Sequence, residues 1–248
     1  MNILTKVVFI AVLLMTTASV VHAKEGGDQY PNGAETFMSG ALPPPGNYFV
    51  NYTGYYSGTL HDPNGNEINP VKVSALWDTL RFVHVSDKVF LGGNLVFHGI
   101  LPIVHQNIET FGIDNKANGI ADITLAPAIA WHTPDYHVVS GLDILLPTGK
   151  YDKKNPFKSI GTNNYSYEPF VAVTMLTPQG WDFSLKLMYS FHGENDHTNY
   201  TSGDEFHLDY GINKNIGDWS YGVGGYYLTQ LVNDKQNSVT LSNTKTEV

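Results

Sequence analysis

The chain has 248 residues, of which 42% are hydrophobic, 12% aromatic and only 15% charged, with 24 glycines, 15 tyrosines and no cysteine. The lack of cysteine removes disulfide scaffolds, thiolate metal sites and cysteine nucleophiles, and the low charged fraction beside so much glycine and tyrosine argues against a disordered chain or a helical enzyme core. With 14 Lys and Arg against 23 Asp and Glu, the net charge of −9 repels a phosphate backbone, so no nucleic acid is expected as a partner.

Residues 1–23 read as an export signal. Lys6 precedes an apolar run from Val7 to Met15, and Val21-His22-Ala23 offers a small-x-small cleavage site before Lys24. A permanent membrane helix needs about 20 apolar residues, whereas Thr16, Thr17 and Ser19 interrupt this run. Residues 24–45 form a second segment, with a Pro-rich stretch from Ala41 to Gly46. It is expected either to lead through the periplasm to a first strand or to lie inside a barrel as a plug.

From residue 46 to residue 248 the pattern is strand after strand. Trp181 to His192 is the clearest: Trp181, Phe183, Leu185, Leu187, Tyr189 and Phe191 face one way, and Asp182, Ser184, Lys186, Met188, Ser190 and His192 the other. Aromatics bracketing leucines suit a surface that faces lipid between two headgroup layers, with water on the other side. Phe206, Leu208, Tyr210 and Ile212 oppose Glu205, His207 and Asp209 in the same way, and Ile123, Leu125, Ile129 and Trp131 oppose Asp122, Thr124 and three alanines. Tyr136 to Leu146 and Trp219 to Leu231 repeat the split, the latter with glycines on its second face. Val71 to Ser86 resists phasing, because Asp78 and Arg81 fall on opposite faces.

Short links around Ser86-Asp87-Lys88, Thr133-Pro134-Asp135, Pro178-Gln179-Gly180 and Ile216-Gly217-Asp218 take turns with long polar ones at Gly58 to Pro70, Gln106 to Asn118, Thr148 to Asn164 and Gly193 to Asp204. A membrane barrel requires this alternation of tight periplasmic turns and larger extracellular loops, and a soluble sandwich does not. The fold class is therefore all-β, an antiparallel up-and-down transmembrane β-barrel in the cell outer membrane. About nine strands precede a polar tail from Asn233, an odd count that leaves the wall short of closure; a truncated gene model explains this more simply than completion by a partner.

The motifs that carry chemistry elsewhere fail here. Asp62-Pro63-Asn64-Gly65-Asn66-Glu67 opens like a calcium loop, but Glu67 stands where a glycine must turn and Val73 where a bidentate carboxylate is needed. Gly222-Val223-Gly224 lacks its third glycine and a following helix, so its glycines are expected to relieve crowding in a curved sheet. Of the ten histidines, His192 with His197, His132 with His137, and His207 between Glu205 and Asp209 are the candidates for a metal site, yet none has a ligand spacing. No G-x-S-x-G is present, and no enzyme, cofactor or metal is expected.

Tyr30-Pro31-Asn32-Gly33-Ala34-Glu35, Phe37-Met38, Gly40-Ala41-Leu42-Pro43-Pro44-Pro45-Gly46 and Tyr48-Phe49 resemble the start of the SphA-like outer-membrane proteins linked to the phenol meta-pathway. Gly141-Leu142-Asp143, Leu146-Pro147-Thr148-Gly149-Lys150-Tyr151-Asp152, Glu205-Phe206-His207 and Gly222-Val223-Gly224-Gly225-Tyr226-Tyr227 extend the resemblance to about Leu231, after which members of that family continue with more strands. The resemblance implies an outer-membrane barrel that takes up aromatic or other hydrophobic compounds.

The expected function is passive uptake of such solutes, with membrane lipid and the outer-membrane assembly machinery as further partners. Asp122, Asp143, Glu168, Asp182, Lys186, His207 and Asp209 are the inward residues expected to meet solute, holding water and a cation-preferring field in the lumen. Tyr52, Tyr55 and Tyr56 suit either stacking of aromatic solutes or anchoring at the lipid interface. A non-conducting structural or adhesive barrel, and a soluble secreted β-protein that binds a ligand, are the alternatives.

Overall fold

The computed structural model describes residues 30–61, 66–242, 244 and 245. The expected export signal and residues 62–65 of the calcium-loop-like stretch lie outside the described residues. The strands are β1 (Gly46–His61), β2 (Glu67–Phe90), β3 (Gly93–Thr110), β4 (Ile113–Ile120), β5 (Ile123–His132), β6 (Tyr136–Leu146), β7 (Ser166–Leu176), β8 (Trp181–His192), β9 (Tyr200–Thr201), β10 (Glu205–Ile216), β11 (Trp219–Gln230), β12 (Lys235–Gln236) and β13 (Val239–Thr240). Among the described residues no helix is long and apolar enough to cross a membrane.

One antiparallel sheet runs β1-β2-β3-β5-β6-β7-β8-β10-β11, with β4 attached to β3. Along this path it has the nine strands expected from the alternation. β4 covers Ile103–Thr110 of β3, while β5 covers Asn94–Ile100, so the two behave as one strand broken at Ala121 and Asp122. Among the described residues β1 and β11 do not pair with each other, and the sheet is a half-barrel.

The distribution of polarity inverts that of a soluble protein. On β8, Asp182 and Lys186 are sealed at 0% and 2% exposure, while Phe183, Leu185, Leu187 and Phe191 lie open at 36% to 46%. Strand period two puts each set on its own face, and the surface that accepts a row of bare Phe and Leu is hydrocarbon. β7 follows the same rule, with Ser166, Glu168, Phe170, Ala172 and Thr174 inward. Inside, Val83, Val85, Val96, Ala130, Val139, Phe170 and Met188 form a small apolar seam against which Tyr30 and Leu42 pack.

Four features differ from expectation. Gly58 to Pro70 is largely strand rather than a long loop, since β1 runs to His61 and β2 begins at Glu67. Ser86-Asp87-Lys88 is not the turn: it bulges from β2, where the register shifts between Val85 and Val89, and the chain reverses at Leu91-Gly92 with φ of 50° and 80°. Two successive positive φ values match the right-handed strand twist in a two-residue hairpin. Gln106 to Asn118 is not a loop either, since β3 and β4 continue to a second such turn at Phe111-Gly112, with φ of 52° and 75°. Its polar residues, such as Asp114 and Lys116, mark a hairpin standing in water beyond the apolar belt rather than irregular backbone. The tail after Asn233 is also partly regular, because β12 joins β9 and β13 in a three-stranded patch at the long-loop end.

The unphased strand resolves at once in this register. Arg81 points inward beside His98, and Asp78 points outward, where Asn51 Nδ2 (2.5 Å) and Thr53 Oγ1 (3.0 Å) donate to its carboxylate.

Leu185→Arg puts a cation into the middle of the outward belt. It is expected to lower the folding free energy in lipid vesicles by about 2–4 kcal/mol, read by equilibrium denaturant titration; a loss under about 1 kcal/mol contradicts a hydrocarbon surroundings for this face.

Candidate functional site

Strands β6, β7, β8 and β10 bring six of the seven expected residues to one concave face. Asp143, Glu168, Asp182, Lys186, His207 and Asp209 are all at most 5% exposed there. Asp122 does not join them. It sits at the break between β4 and β5, where its Oδ1 accepts from the Gly149 N–H (2.8 Å) and its Oδ2 from the Thr162 N–H (2.7 Å) and hydroxyl (2.8 Å). The break takes Asp122 off the period-two ladder, so it fastens the 147–165 loop instead of lining the interior. In that loop the Asp152 carboxyl is held below the usual carboxylate range by the N–H groups of Lys154 and Asn155.

The partners of the inner face come largely from the segment before β1. Asp209 accepts from the Tyr30 hydroxyl (2.7 Å) and from the N–H groups of Gly33 (2.9 Å) and Glu35 (3.1 Å). His207 Nδ1 donates to Asn32 Oδ1 (2.8 Å). Farther along, the Met38 N–H donates to Ser184 Oγ (2.9 Å) and the Gly40 N–H to Thr174 Oγ1 (3.0 Å). Residues 30–40 therefore run across β10, β8 and β7, handing one backbone donor after another to inward side chains.

Glycines on both sides permit this approach. A Cβ on Gly211 would stand 2.1 Å from the Thr36 carbonyl oxygen, one on Gly224 2.7 Å from Thr36 Cβ, and one on Gly222 2.8 Å from Phe37 Cε1. The room that Gly222 and Gly224 leave is thus taken by the segment, a more specific use than easing curvature. Gly40 is the reciprocal case, since its Cβ would lie 2.6 Å from the His137 carbonyl oxygen.

At the centre is an ionic node. Glu35 Oε1 pairs with Arg81 Nη1 of β2, and its Oε2 with Lys186 Nζ of β8 at 2.6 Å. Four strands separate β2 from β8 in the sheet, so one carboxylate ties opposite sides of the concavity together. Arg81 Nη2 lies 2.7 Å from His98 Nδ1. Because arginine only donates, Nδ1 is the acceptor, and the Nε2–H donates to Asp143 Oδ1 at 2.8 Å, so the neighbours of His98 set which ring nitrogen donates to the wall. Lys186 Nζ also stands 4.5 Å from the Tyr30 ring centroid and 5.0 Å from that of Phe170.

Toward the long-loop end, Ser190 donates to Glu168 and contacts His207 Nε2 (3.2 Å), while His192 bridges Ser166 (3.2 Å) and Glu205 (3.3 Å). His192 and His197 are apart, the latter reaching the Lys153 carbonyl. His132 and His137 do meet, Nδ1 to Nδ1 at 2.9 Å across β5 and β6. Among the described residues no group of three or more metal-ligating side chains forms. Of the tyrosines, Tyr52, Tyr55 and Tyr56 stay 39% to 70% exposed near the open edge at β1.

Sequence reasoning missed Tyr30, Glu35, Arg81 and His98. One signal was present: Arg81 is the only arginine of the chain, set in an otherwise apolar strand. Its partner Glu35 lies in a segment without periodicity, so no pattern links the two.

The profile of a family described as "Putative MetA-pathway of phenol degradation" matches residues 57–248. Among solved structures, an outer membrane channel from Pseudomonas putida F1 superposes with a TM-score of 0.67 at 15% identity, over 86% of this chain and 80% of that one. No curated protein matches the chain. The fold is that of an outer-membrane barrel, and the bare apolar belt of β7, β8 and β10 has its solvent in that membrane.

Asp209→Ala removes an acceptor shared by three donors. Amide exchange at Gly33 and Glu35 is expected to quicken more than tenfold while the exchange of β8 stays unchanged; equal protection in both proteins contradicts the anchoring role of Asp209.

Proposed function

The chain belongs to the family described by that phenol-degradation profile, and from this premise we propose that it is a passive outer-membrane uptake channel for small hydrophobic or aromatic compounds, kept closed by residues 30–40. The observation that carries the reading is the Glu35 tie between Arg81 and Lys186, which crosses the concave face where a solute has to travel. Permeation follows when the segment swings out, and Asp143, Glu168, Asp182, Lys186, His207 and Asp209 are then the groups that solute and water meet. Passage runs down the solute's own gradient, and insertion of the barrel falls to the outer-membrane assembly machinery.

The apolar belt and the polar interior support a lipid-embedded wall over a soluble ligand-binding sheet. One observation favours a non-conducting structural barrel instead: the inner face is already filled and hydrogen-bonded by the segment. Flux separates the two. Full-length protein that migrates heat-modifiably is reconstituted in liposomes, and entry of phenol and benzyl alcohol is compared with that of maltose. The channel reading predicts entry of the aromatics ahead of the sugar, and about tenfold faster entry when residues 30–40 are deleted. Folded, inserted protein that passes no aromatic even after the deletion overturns it in favour of the structural barrel.

A further inference from the structure

We infer that Arg81 and Lys186, with Phe170 and His98 beside them, form a binding subsite for aromatic carboxylates, which Glu35 and Tyr30 occupy as internal stand-ins while the segment is docked. The inference rests on the uptake reading and names the solute class that the same interior takes.

Three acids of the wall keep their hydrogen bonds whether or not the segment is docked: Asp143 accepts from His98, and Glu168 and Asp182 accept from Ser190 and Ser184. Asp209, opposite Lys186 across β10 and β8, loses its three donors when the segment leaves. The ion pairs of Arg81 and Lys186 both go to Glu35, which belongs to a segment outside the strands. When that segment withdraws, Arg81 loses its ion-pair partner, while Lys186 keeps wall carboxylates beside it, Asp209 directly across the strand pair among them. The uncompensated guanidinium recruits an anion, and a carboxylate with two oxygens reproduces the lost geometry, with Lys186 as its second point of contact.

A second observation points to a ligand with more to offer than Glu35. Arg81 gives Nη1 to Glu35 and Nη2 to His98, but its Nε is buried without an acceptor. A free carboxylate, unconstrained by a polypeptide, is able to take Nε and Nη1 together in the fork arrangement that arginine favours.

The third observation selects the aromatic class. Lys186 Nζ lies between the rings of Tyr30 and Phe170, and the His98 ring stacks on Phe170 at 6.5 Å between centroids with 28° between planes. Tyr30 leaves with the segment, which frees a ring-sized place beside Phe170 next to the cations. Glu35 and Tyr30 together supply a carboxylate and a benzene ring, and an aromatic carboxylate carries both on one small molecule. Aliphatic acids fit only the first half, and neutral aromatics only the second.

Isothermal titration of the detergent-solubilised full-length protein tests this with sodium benzoate, sodium acetate and benzyl alcohol. The double variant Tyr30→Ala/Glu35→Ala, which removes both stand-ins, is expected to bind benzoate one to one and at least tenfold tighter than the wild type, with acetate and benzyl alcohol each at least tenfold weaker than benzoate. Adding Arg81→Gln or Lys186→Met to that variant is expected to abolish the difference. Benzoate binding that is no tighter in the double variant, or that survives Arg81→Gln in protein that still migrates heat-modifiably, overturns the inference. Should the double variant fail to fold, hydrogen exchange of the wild type decides. Saturating benzoate, but not acetate, accelerates the Gly33 and Glu35 amides by displacing the segment, and no acceleration overturns the inference. The uptake reading stands or falls separately: liposomes that admit benzyl alcohol while benzoate fails to bind sink the subsite alone, and benzoate binding without flux of any aromatic sinks the channel alone.

Discussion

On the concave face Arg81, Lys186 and Asp209 draw ion-pair partners or hydrogen-bond donors from a segment outside the strands, and this need organises the molecule. Asp209 and Asp182 are fully buried, and Lys186 nearly so. A buried charge without a partner costs several kcal/mol even after relaxation, far more than any one contact in the sheet returns. Residues 30–40 resolve most of the debt, giving three donors to Asp209, one backbone N–H each to Ser184 and Thr174, and a carboxylate to Arg81 and Lys186. The segment and the wall are complementary in shape as well, because Gly211, Gly222, Gly224 and Gly40 have no side chain where the two backbones approach.

The same constraint explains why the exterior is so plain. Once polar groups are turned inward by strand period two, the outward positions of β8 and β10 hold Trp, Phe, Leu, Tyr and Ile, apart from Lys214 at the short-turn end, whose ammonium donates to the Gln179 carbonyl. Outward charge is confined to places where it can be capped or wetted: Asp78 is held by Asn51 and Thr53, and Asp114 and Lys116 stand on the β3–β4 hairpin beyond the belt. The structure therefore works as two solvents separated by one sheet. The inner one is a hydrogen-bonded polar phase that the strands and residues 30–40 build together.

How far the sequence revealed this depends on periodicity. β8 and β10 could be phased residue by residue, because apolar and polar positions alternate without a break, and Asp182, Lys186, His207 and Asp209 landed on the face assigned to them. Where the period is interrupted, reading failed. The bulge at Ser86-Asp87-Lys88 imitates a turn, the wet hairpin around Phe111-Gly112 imitates a loop, and the break at Asp122 moves an acid out of register with its neighbours. The role of residues 30–40 was left between two alternatives because it depends on contacts 134 to 176 residues away in sequence, made by backbone groups of a stretch with no repeat. Arg81 and Glu35 form the central pair of the interior, yet nothing local to either announces the other.

A cysteine scan of β8 tests the two-solvent account most directly, since the chain contains no cysteine of its own. Single cysteines are placed in turn from Trp181 to His192 in protein embedded in lipid vesicles, and reacted with a membrane-impermeant maleimide or probed with a lipid-borne quencher. The account predicts that odd positions, Phe183 to Phe191, are reached only from the lipid, and that even positions, Asp182 to Ser190, react with maleimide only after residues 30–40 are removed. Maleimide labelling of the odd positions, or of the even ones with the segment in place, would contradict it.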